Sequence, residues 1–355
     1  MNTYTVGITM GDPAGIGSEI VASAYPHLLE RRFEVAGREG AIRPVVIGDA
    51  SVVRAGIEAA GSGLGVDALA SVADARRDPA AIPVLDLANV DGELEYGVVR
   101  ETYGRASLEY VERAITLALA GEIDAITTAP IHKQATGRSG SEFAGHTGML
   151  AARTDTDRYS MLLVEGDLRV SHVSTHVPLR EACERVTRES VLETIRVTER
   201  GLADLGVDEP AIAVAGLNPH ASDGGLLGET EAQEIEPAVA AAREEGIDAR
   251  GPEPPDTVYV AAARGAYDCV VSMYHDQGHI PIKMLGFSGG ETTTVSGVNV
   301  TIGLPIVRTS VDHGTAFDIA GEGVASDRSL RQATVLAAEM AARRLERRVN
   351  AEGRR

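Results

Sequence analysis

Short apolar runs alternate with longer amphipathic stretches along most of this chain, the pattern of strands and helices taking turns. Residues 4–9 (YTVGIT) read as a strand, followed by a glycine-rich turn and a helix. Further short, buried strands are predicted at 44–47, 83–87, 125–129, 211–216 and 268–274, with a hairpin pairing 159–164 and 169–174 around Gly166 and Asp167. Apolar residues at helical spacing predict helices over 106–120, with Gly121 just past the end, and over 189–205, 231–244 and 329–348. The segments 251–256 (GPEPPD) and 288–297 (rich in Gly, Ser and Thr) read as loops, and the charged tail 344–355 is expected to fray. Strand and helix in alternation favour an α/β fold with a largely parallel sheet. No internal repeat is visible, and no long linker separates two halves, so two lobes would require the chain to cross between them more than once.

With 355 residues and 44% hydrophobic content, the chain can build one large domain or two lobes with separate cores. No run reaches the ~18–20 apolar residues of a membrane span. The opening MNTYTVGITMGDPAG lacks the basic-then-apolar order of a signal peptide. Cys183 and Cys269 are the two cysteines, and neither sits in a CxxC, so the expected location is a reducing cytoplasm. A net charge of −19 argues against nucleic acid or an anionic membrane as partner. The same charge demands a local cationic pocket if the substrate is an anion. Arginine supplies nearly all the positive charge; Lys133 and Lys283 are the only lysines, which marks them as candidates for chemistry. An acidic, lysine-poor composition also suggests adaptation to high salt.

Most of the nine histidines fall in loop-like segments after strands: His132, His146, His176, His220, His275, His279 and His313. Loops at the carboxyl ends of parallel strands are where α/β proteins place ligands, and histidine there suits metal binding or proton transfer. The spacing forms no local metal motif and does not choose the ligands. The loop Gly11-Asp12-Pro13-Ala14-Gly15-Ile16-Gly17 is compatible equally with an anion cradle at a helix N-terminus and with a purely structural turn. Residues 312–321 (DHGTAFDIAG) combine glycines for close backbone approach with Asp and His that can hydrogen-bond a nucleotide. Lys283 in the apolar run HIPIKMLGF, with Asn299 and Arg308 downstream, offers an anionic handle.

Taken together, the segments MGDPAGIGSEI, TAPIHK, GHT, STHVPLREA, GLNPHASDGG, MYHDQGHIPIK and VNVTIGLPIVRTSVDHGTAFDIAGEG resemble, nearly end to end, the 4-hydroxythreonine-4-phosphate dehydrogenase family, including its D-threonate and D-erythronate 4-phosphate branch. The resemblance implies a two-lobed α/β/α subunit of the isocitrate/isopropylmalate dehydrogenase-like kind with its active site in the interlobe cleft. It implies a first, NAD-side lobe of residues 1–128 plus 298–355 and a second lobe of 129–297 with the metal and dimer interface, in a homodimer with shared active sites. It implies NAD and a divalent metal (Zn, Mg, Mn or Co) held by His176, His220 and His275. Substrate contacts would come from His146, Thr147, Lys283, Asn299 and Arg308, and NAD contacts from His313, Gly314, Thr315, Ala316 and Asp318. Lys133, His146 and Asp276 are the candidate bases. The implied reaction is oxidation at C3 of a 4-phosphorylated four-carbon hydroxy acid, followed by decarboxylation. Gly148 after Thr147, the extra length at 288–297, and Ser222-Asp223 after NPHA depart from the family pattern, whereas the YHDQGHIPIK wording is closer to the sugar-acid phosphate branch. A metal-dependent lyase or acyl/phosphoryl transferase without NAD, and a non-catalytic ligand-binding relative, are the alternatives.

Overall fold

An apolar run without polar alternation has to be covered on both faces, and β1 (Asn2–Thr9) satisfies that demand: its last six residues are all buried. The computed structural model describes residues 1–143, 145–288 and 294–352. Contacts divide the chain into one unit of Met1–Asp157 with Leu304–Arg355, and a second unit of Arg158–Gly303. After β1 the first unit continues through α1 (Gly17–Glu30), β2 (Arg32–Val35), β3 (Arg38–Gly48), α2 (Ala50–Ala59), β4 (Gly65–Leu69), β5 (Ala81–Asp86), α3 (Glu101–Ala120), β6 (Ala125–Thr128), α4 (Lys133–Arg138) and α5 (His146–Arg153). The second unit runs through β7 (Ser160–Glu165), β8 (Leu168–His172), α6 (Leu179–Glu184), α7 (Arg188–Asp204), β9 (Ile212–Ala215), α8 (Glu236–Glu244), β10 (Ala249–Glu253) and α9 (Val258–Ala263). It ends with β11 (Cys269–Ser272), α10 (His275–Gly286), β12 (Phe287–Ser288), β13 (Thr294–Val295) and β14 (Val298–Ile302). The chain then returns to the first unit with β15 (Arg308–Val311) and α11 (Arg328–Glu352).

In the first unit the strands follow the order β15-β6-β1-β3-β5-β4, every neighbouring pair parallel, with β2 antiparallel to β3. Helix α11 packs on β1, β6 and β15, and α3 on β1, β3 and β6. The carboxyl ends of β1, β3, β6 and β15 therefore deliver the loops that carry Asp12, Asp49, Lys133 and His313. Helix α3 stops where expected: Gly121 takes φ 73°, and the amides of Gly121 and Glu122 close on Ala118 and Leu117. In the second unit the order is β10-β9-β11-β8-β7-β14, parallel as far as β8 and antiparallel on both sides of β7. The tight turn at Gly166 (φ 56°) forces the β7–β8 reversal, as the sequence predicts. Helix α7 begins with a reciprocal cap between Thr187 and Ser190, one residue before the predicted start.

Three expectations change. The segment read as the loop 251–256 begins inside β10, an edge strand that accommodates Pro252 through an irregular register between Arg250 and Glu253. The tail expected to fray from 344 stays helical to Glu352, with Arg343 paired to Glu339 one turn back, while 353–355 lie outside the described residues. The loop expected at 288–297 is bracketed by β12 and β13, paired antiparallel, while residues 289–293 lie outside those described. The unit boundaries at 157/158 and 303/304 fall after the 128/129 and 297/298 of the sequence reading. Within the first unit, α4 docks on α3 so closely that a Cβ on Gly104 would lie 2.2 Å from the Ala135 backbone.

That contact makes Gly104 a test of packing against propensity. Alanine in a helix interior is favoured over glycine by about 1 kcal/mol. Here the obstructing atoms are backbone and cannot rotate away, so overpacking of roughly 1–3 kcal/mol should win. Gly104→Ala is expected to lower the urea midpoint of unfolding; a raised midpoint would mean that α4 moves aside freely.

Candidate active site

In the second unit, four histidines gather where β8 and β11 end. His172 closes β8, His176 follows it in the next loop, and His275 and His279 lie one turn apart on α10. His275 and His279 stack with ring centroids 3.6 Å apart, His176 is 5.4 Å from His275, and His172 is 4.8 Å from His279. His275 Nδ1 and Asp276 Oδ1 are hydrogen-bonded over 2.7 Å. Burial lowers the pKa of His172 to about 3 and that of His279 to about 4, each helped by neighbouring imidazoles, so both rings are neutral at ordinary pH. Two adjoining cavities share His275 and Asp276. One, of about 280 Å³, is walled by Ser174, Thr175, His176 and Tyr274; the other, of about 460 Å³, by His279, Ile280 and Lys283. Asn299 on β14 donates to Met161 Sδ, and its Oδ1 is buried without a hydrogen bond.

His176 and His220 share an unusual backbone. His176 has φ 53°, and His220 opens a run of six residues with positive φ, from 52° at His220 through Ala221, Ser222, Asp223 and Gly224 to 94° at Gly225. A left-handed conformation costs a residue with a side chain about 1–2 kcal/mol. The fold sustains it with Glu231, whose fully buried carboxylate accepts the Asn218 amide N–H at 2.7 Å and Asn218 Nδ2 at 2.9 Å. His220 itself is exposed, 3.7 Å from Asp256. Of the three expected metal ligands the structure thus brings His176 and His275 side by side and places His220 beside Asp256. Among the described residues no three His, Cys, Asp or Glu side chains form a group that could hold a metal ion.

In the first unit, Arg308 opens β15, 2% exposed, and donates to Thr128 Oγ1 at 2.7 Å. Burial pushes its pKa down to about 9, which still leaves the guanidinium charged at neutral pH. His146 begins α5; burial and then the charge of Arg308 hold its pKa well below the ordinary value, and its Nε2 is buried without a hydrogen bond. A cation beside a neutral imidazole with an open nitrogen is an arrangement for an anion that also carries hydroxyl groups. Thr147 follows on the same turn, and a Cβ at Gly148 would meet only Phe143, at 3.7 Å, so this departure leaves room. Lys133 is exposed at the start of α4, and the preceding His132 stacks on Phe317 with centroids 4.5 Å apart.

The loop of His313–Asp318 leaves β15. Thr315 is buried, Ala316 has φ 43°, Asp318 is exposed, and no atom lies within 4 Å of where Gly314 would carry a Cβ. An open glycine backbone in an otherwise packed loop suits the close approach of a nucleotide. The glycine loop after β1 has the other of its two possible roles. Its residues are buried, and its amides are already engaged: Asp12 to Pro130 O, Ala14 to Asp12 Oδ1, Gly15 to Asp12 O and Ile16 to Thr315 O. These contacts make it a scaffold that ties the loops after β6 and β15 to β1. His172 and Glu19 are the residues that the sequence analysis did not single out; Glu19 carries a signal, as a charge inside an apolar stretch.

The family model described as pyridoxal phosphate biosynthetic protein PdxA matches residues 40–337. The D-threonate 4-phosphate dehydrogenase of Cupriavidus necator is 44% identical over 340 residues, covering 96% of this chain and 98% of that protein. The 4-hydroxythreonine-4-phosphate dehydrogenase of Geobacter metallireducens is 44% identical over 335 residues, covering 94% of each. The crystal structure of a 4-hydroxythreonine-4-phosphate dehydrogenase from Klebsiella pneumoniae superposes with a TM-score of 0.81 at 40% identity, over 95% of this chain and 98% of that one.

Asp12 provides a pH-dependent test of the scaffold. Burial raises its pKa to about 6, only partly countered by the amides of Ala14 and His132, and its Oδ2 has no partner. A raised carboxyl pKa favours folding at low pH, and the advantage is lost as pH rises through the folded value. The two-unit shift corresponds to about 3 kcal/mol at most between the protonated and ionised limits. Asp12→Asn should therefore be more stable than the parent by roughly 1–3 kcal/mol at pH 8, with the difference vanishing near pH 4. Equal chemical-denaturation curves at both pH values would refute the assignment.

Proposed function

The chain belongs to the family of the pyridoxal phosphate biosynthetic protein PdxA, and from that premise we propose that it oxidises C3 of a 4-phosphorylated four-carbon hydroxy acid with NAD, the resulting 3-oxo acid losing CO2. Its relatives are named dehydrogenases over nearly their whole length, which sets aside the lyase, transferase and non-catalytic alternatives. The observation that carries the substrate class is Arg308: a buried guanidinium, charged at neutral pH and aligned by Thr128, in a protein of net charge −19. Such a group concentrates affinity for a phosphate or carboxylate where the overall field repels one.

We assign anion binding to Arg308 and Lys283, with Asn299, His146 and Thr147 completing the polar contacts. His146 binds the substrate in its neutral form, because burial and Arg308 both oppose an imidazolium there. Asp276 orients His275 through its hydrogen bond. Lys133, His146 and Asp276 are the residues we propose as candidates to receive the proton of the C3 hydroxyl. The nucleotide would lie along His313–Asp318, where Gly314 leaves the backbone open; when bound, its nicotinamide accepts the hydride. We keep His176, His220 and His275 as the proposed ligands of a divalent ion. Their donor chemistry suits one, but with His220 beside Asp256 no step is assigned to the ion. A cytoplasmic homodimer is part of the same proposal; no described helix is long and apolar enough to cross a membrane.

NADH formation should be measured with 4-hydroxy-L-threonine 4-phosphate and with the D-threonate and D-erythronate 4-phosphates, in low and high salt and with added divalent metal. A rate with one class names the substrate; no rate with any, in folded metal-supplied protein, overturns the proposal. Arg308→Met should lower kcat/KM for the phosphorylated acid by on the order of a hundredfold, corresponding to about 3 kcal/mol, and leave the NADH dissociation constant unchanged. For the metal, His176→Ala and His220→Ala should each reduce bound divalent ion in elemental analysis; a full complement in both variants would exclude that ligand set.

A further inference from the structure

We propose that Glu19 is the positioning residue of the nucleotide loop: its buried carboxylate holds residues 313–323 in the binding conformation before any nucleotide arrives. The inference rests on the reading that His313–Asp318 contacts NAD. Glu19 lies in the first turn of α1 and is 2% exposed. Its Oε2 accepts two backbone N–H groups from the far end of the chain, Gly321 at 3.2 Å and Gly323 at 3.1 Å, which are 302 and 304 residues away in sequence. Its Oε1 is buried without a partner, and burial raises its pKa. A carboxylate is costly at such a place. An apolar residue would fill the volume without that cost, but it would leave two amides unsatisfied. One anionic oxygen receiving two amides is a strong, directional anchor.

The loop closes on the same segment at other points. Ile16 N–H donates to Thr315 O at 3.1 Å, and a Cβ on Gly15 would lie 3.1 Å from Thr315. Gly97 N–H donates to Ala14 O at 2.9 Å, with its own Cβ position 2.8 Å from Phe317 O. At Gly321 (φ 84°) a Cβ would strike the Tyr96 ring, and at Gly323 (φ 69°) it would sit 2.1 Å from Ala59 O, so the two clamped residues are those with no side chain to hold them away. Ala316, between the anchors, keeps its left-handed φ of 43°. Strain of that kind persists only where surrounding contacts over-determine the backbone. A loop fixed in advance spares the nucleotide the entropy of ordering it.

The test uses the full-length protein and Glu19→Gln, which keeps the shape and removes the charge. Titration with NADH, followed by its fluorescence, should show a dissociation constant raised about tenfold, and KM for NAD should rise with it. The KM for the phosphorylated acid and kcat at saturating NAD should stay within about twofold. Hydrogen exchange at 313–324 should be faster in the variant. An unchanged NADH dissociation constant, or parallel losses in kcat and both KM values, overturns the proposal. If Glu19→Gln does not fold, wild-type exchange decides: amides of this loop protected without nucleotide support the preset conformation, and protection that develops only with NADH refutes it. A wild-type protein that binds no NADH would defeat the nucleotide reading instead, while the comparison of exchange rates still reports whether Glu19 holds the loop.

Discussion

Everything in the first unit leans on the burial of residues 4–22. A strand, a turn and the start of a helix are withdrawn from water together, and two carboxyl groups, Asp12 and Glu19, go with them. In an apolar interior an acid must find donors, and here the donors are amides of loops from distant parts of the sequence. Asp12 accepts from its own turn and meets the loop after β6 through the Asp12 amide and Pro130 O. Glu19 accepts from the loop beyond β15. The cost of burying these acids is thus offset by registering three loops against one another. Ligand-bearing loops are ordinarily the loosest parts of an α/β protein; these are tied to its most buried segment.

The second unit uses the same device once more. Glu231 takes both donors of Asn218 and so stabilises the left-handed run that begins at His220. Both units therefore support an improbable backbone with a buried acid, and in both the supported residue belongs to the candidate machinery. Positive charge is handled in the opposite way. The chain is strongly acidic, and Arg308 is kept inside, where solvent screens it least.

Much of this was legible in the sequence, and the reasons for the remainder are physical. The predicted strands and helices followed from apolar periodicity, and the hairpin around Gly166 and the cap at Gly121 from turn chemistry, while β2, β4, β14, β15, α2 and α10 went unpredicted. Strand β10 was missed because Gly251 and Pro252 mark loops nearly everywhere except on a sheet edge. Helix α11 outran its predicted end although its last turns are rich in charge, with Arg343 paired to Glu339 one turn back. His146, Arg308 and the loop of His313–Asp318 were candidates from their residue types and positions, the family resemblance assigned them roles, and the structure supplies the environments that periodicity cannot. His172 escaped notice, and His279 stood only as one loop histidine among several, since nothing local distinguishes a histidine facing other histidines from one facing solvent. Asp12 and Glu19 were visible as charges in an apolar run, but the partners of Glu19 lie on a loop from the far end of the chain.

The second unit enters at Arg158 and leaves at Gly303, and these two points touch: a Cβ on Gly303, at φ 95°, would lie 2.3 Å from Arg158 O. A segment whose ends meet is topologically a guest within its host. On the ribosome this reverses the usual order of completion. The host is begun first, yet β15 and α11 are synthesised last, so its sheet lacks an edge strand and its helix α1 a neighbour until translation is nearly over. The guest, continuous from end to end, has all its strands available earlier. Newly made chains therefore pass through a period in which the later-encoded unit is complete and the earlier-encoded one still exposes apolar surface, and that is the interval in which chaperones would have to protect it.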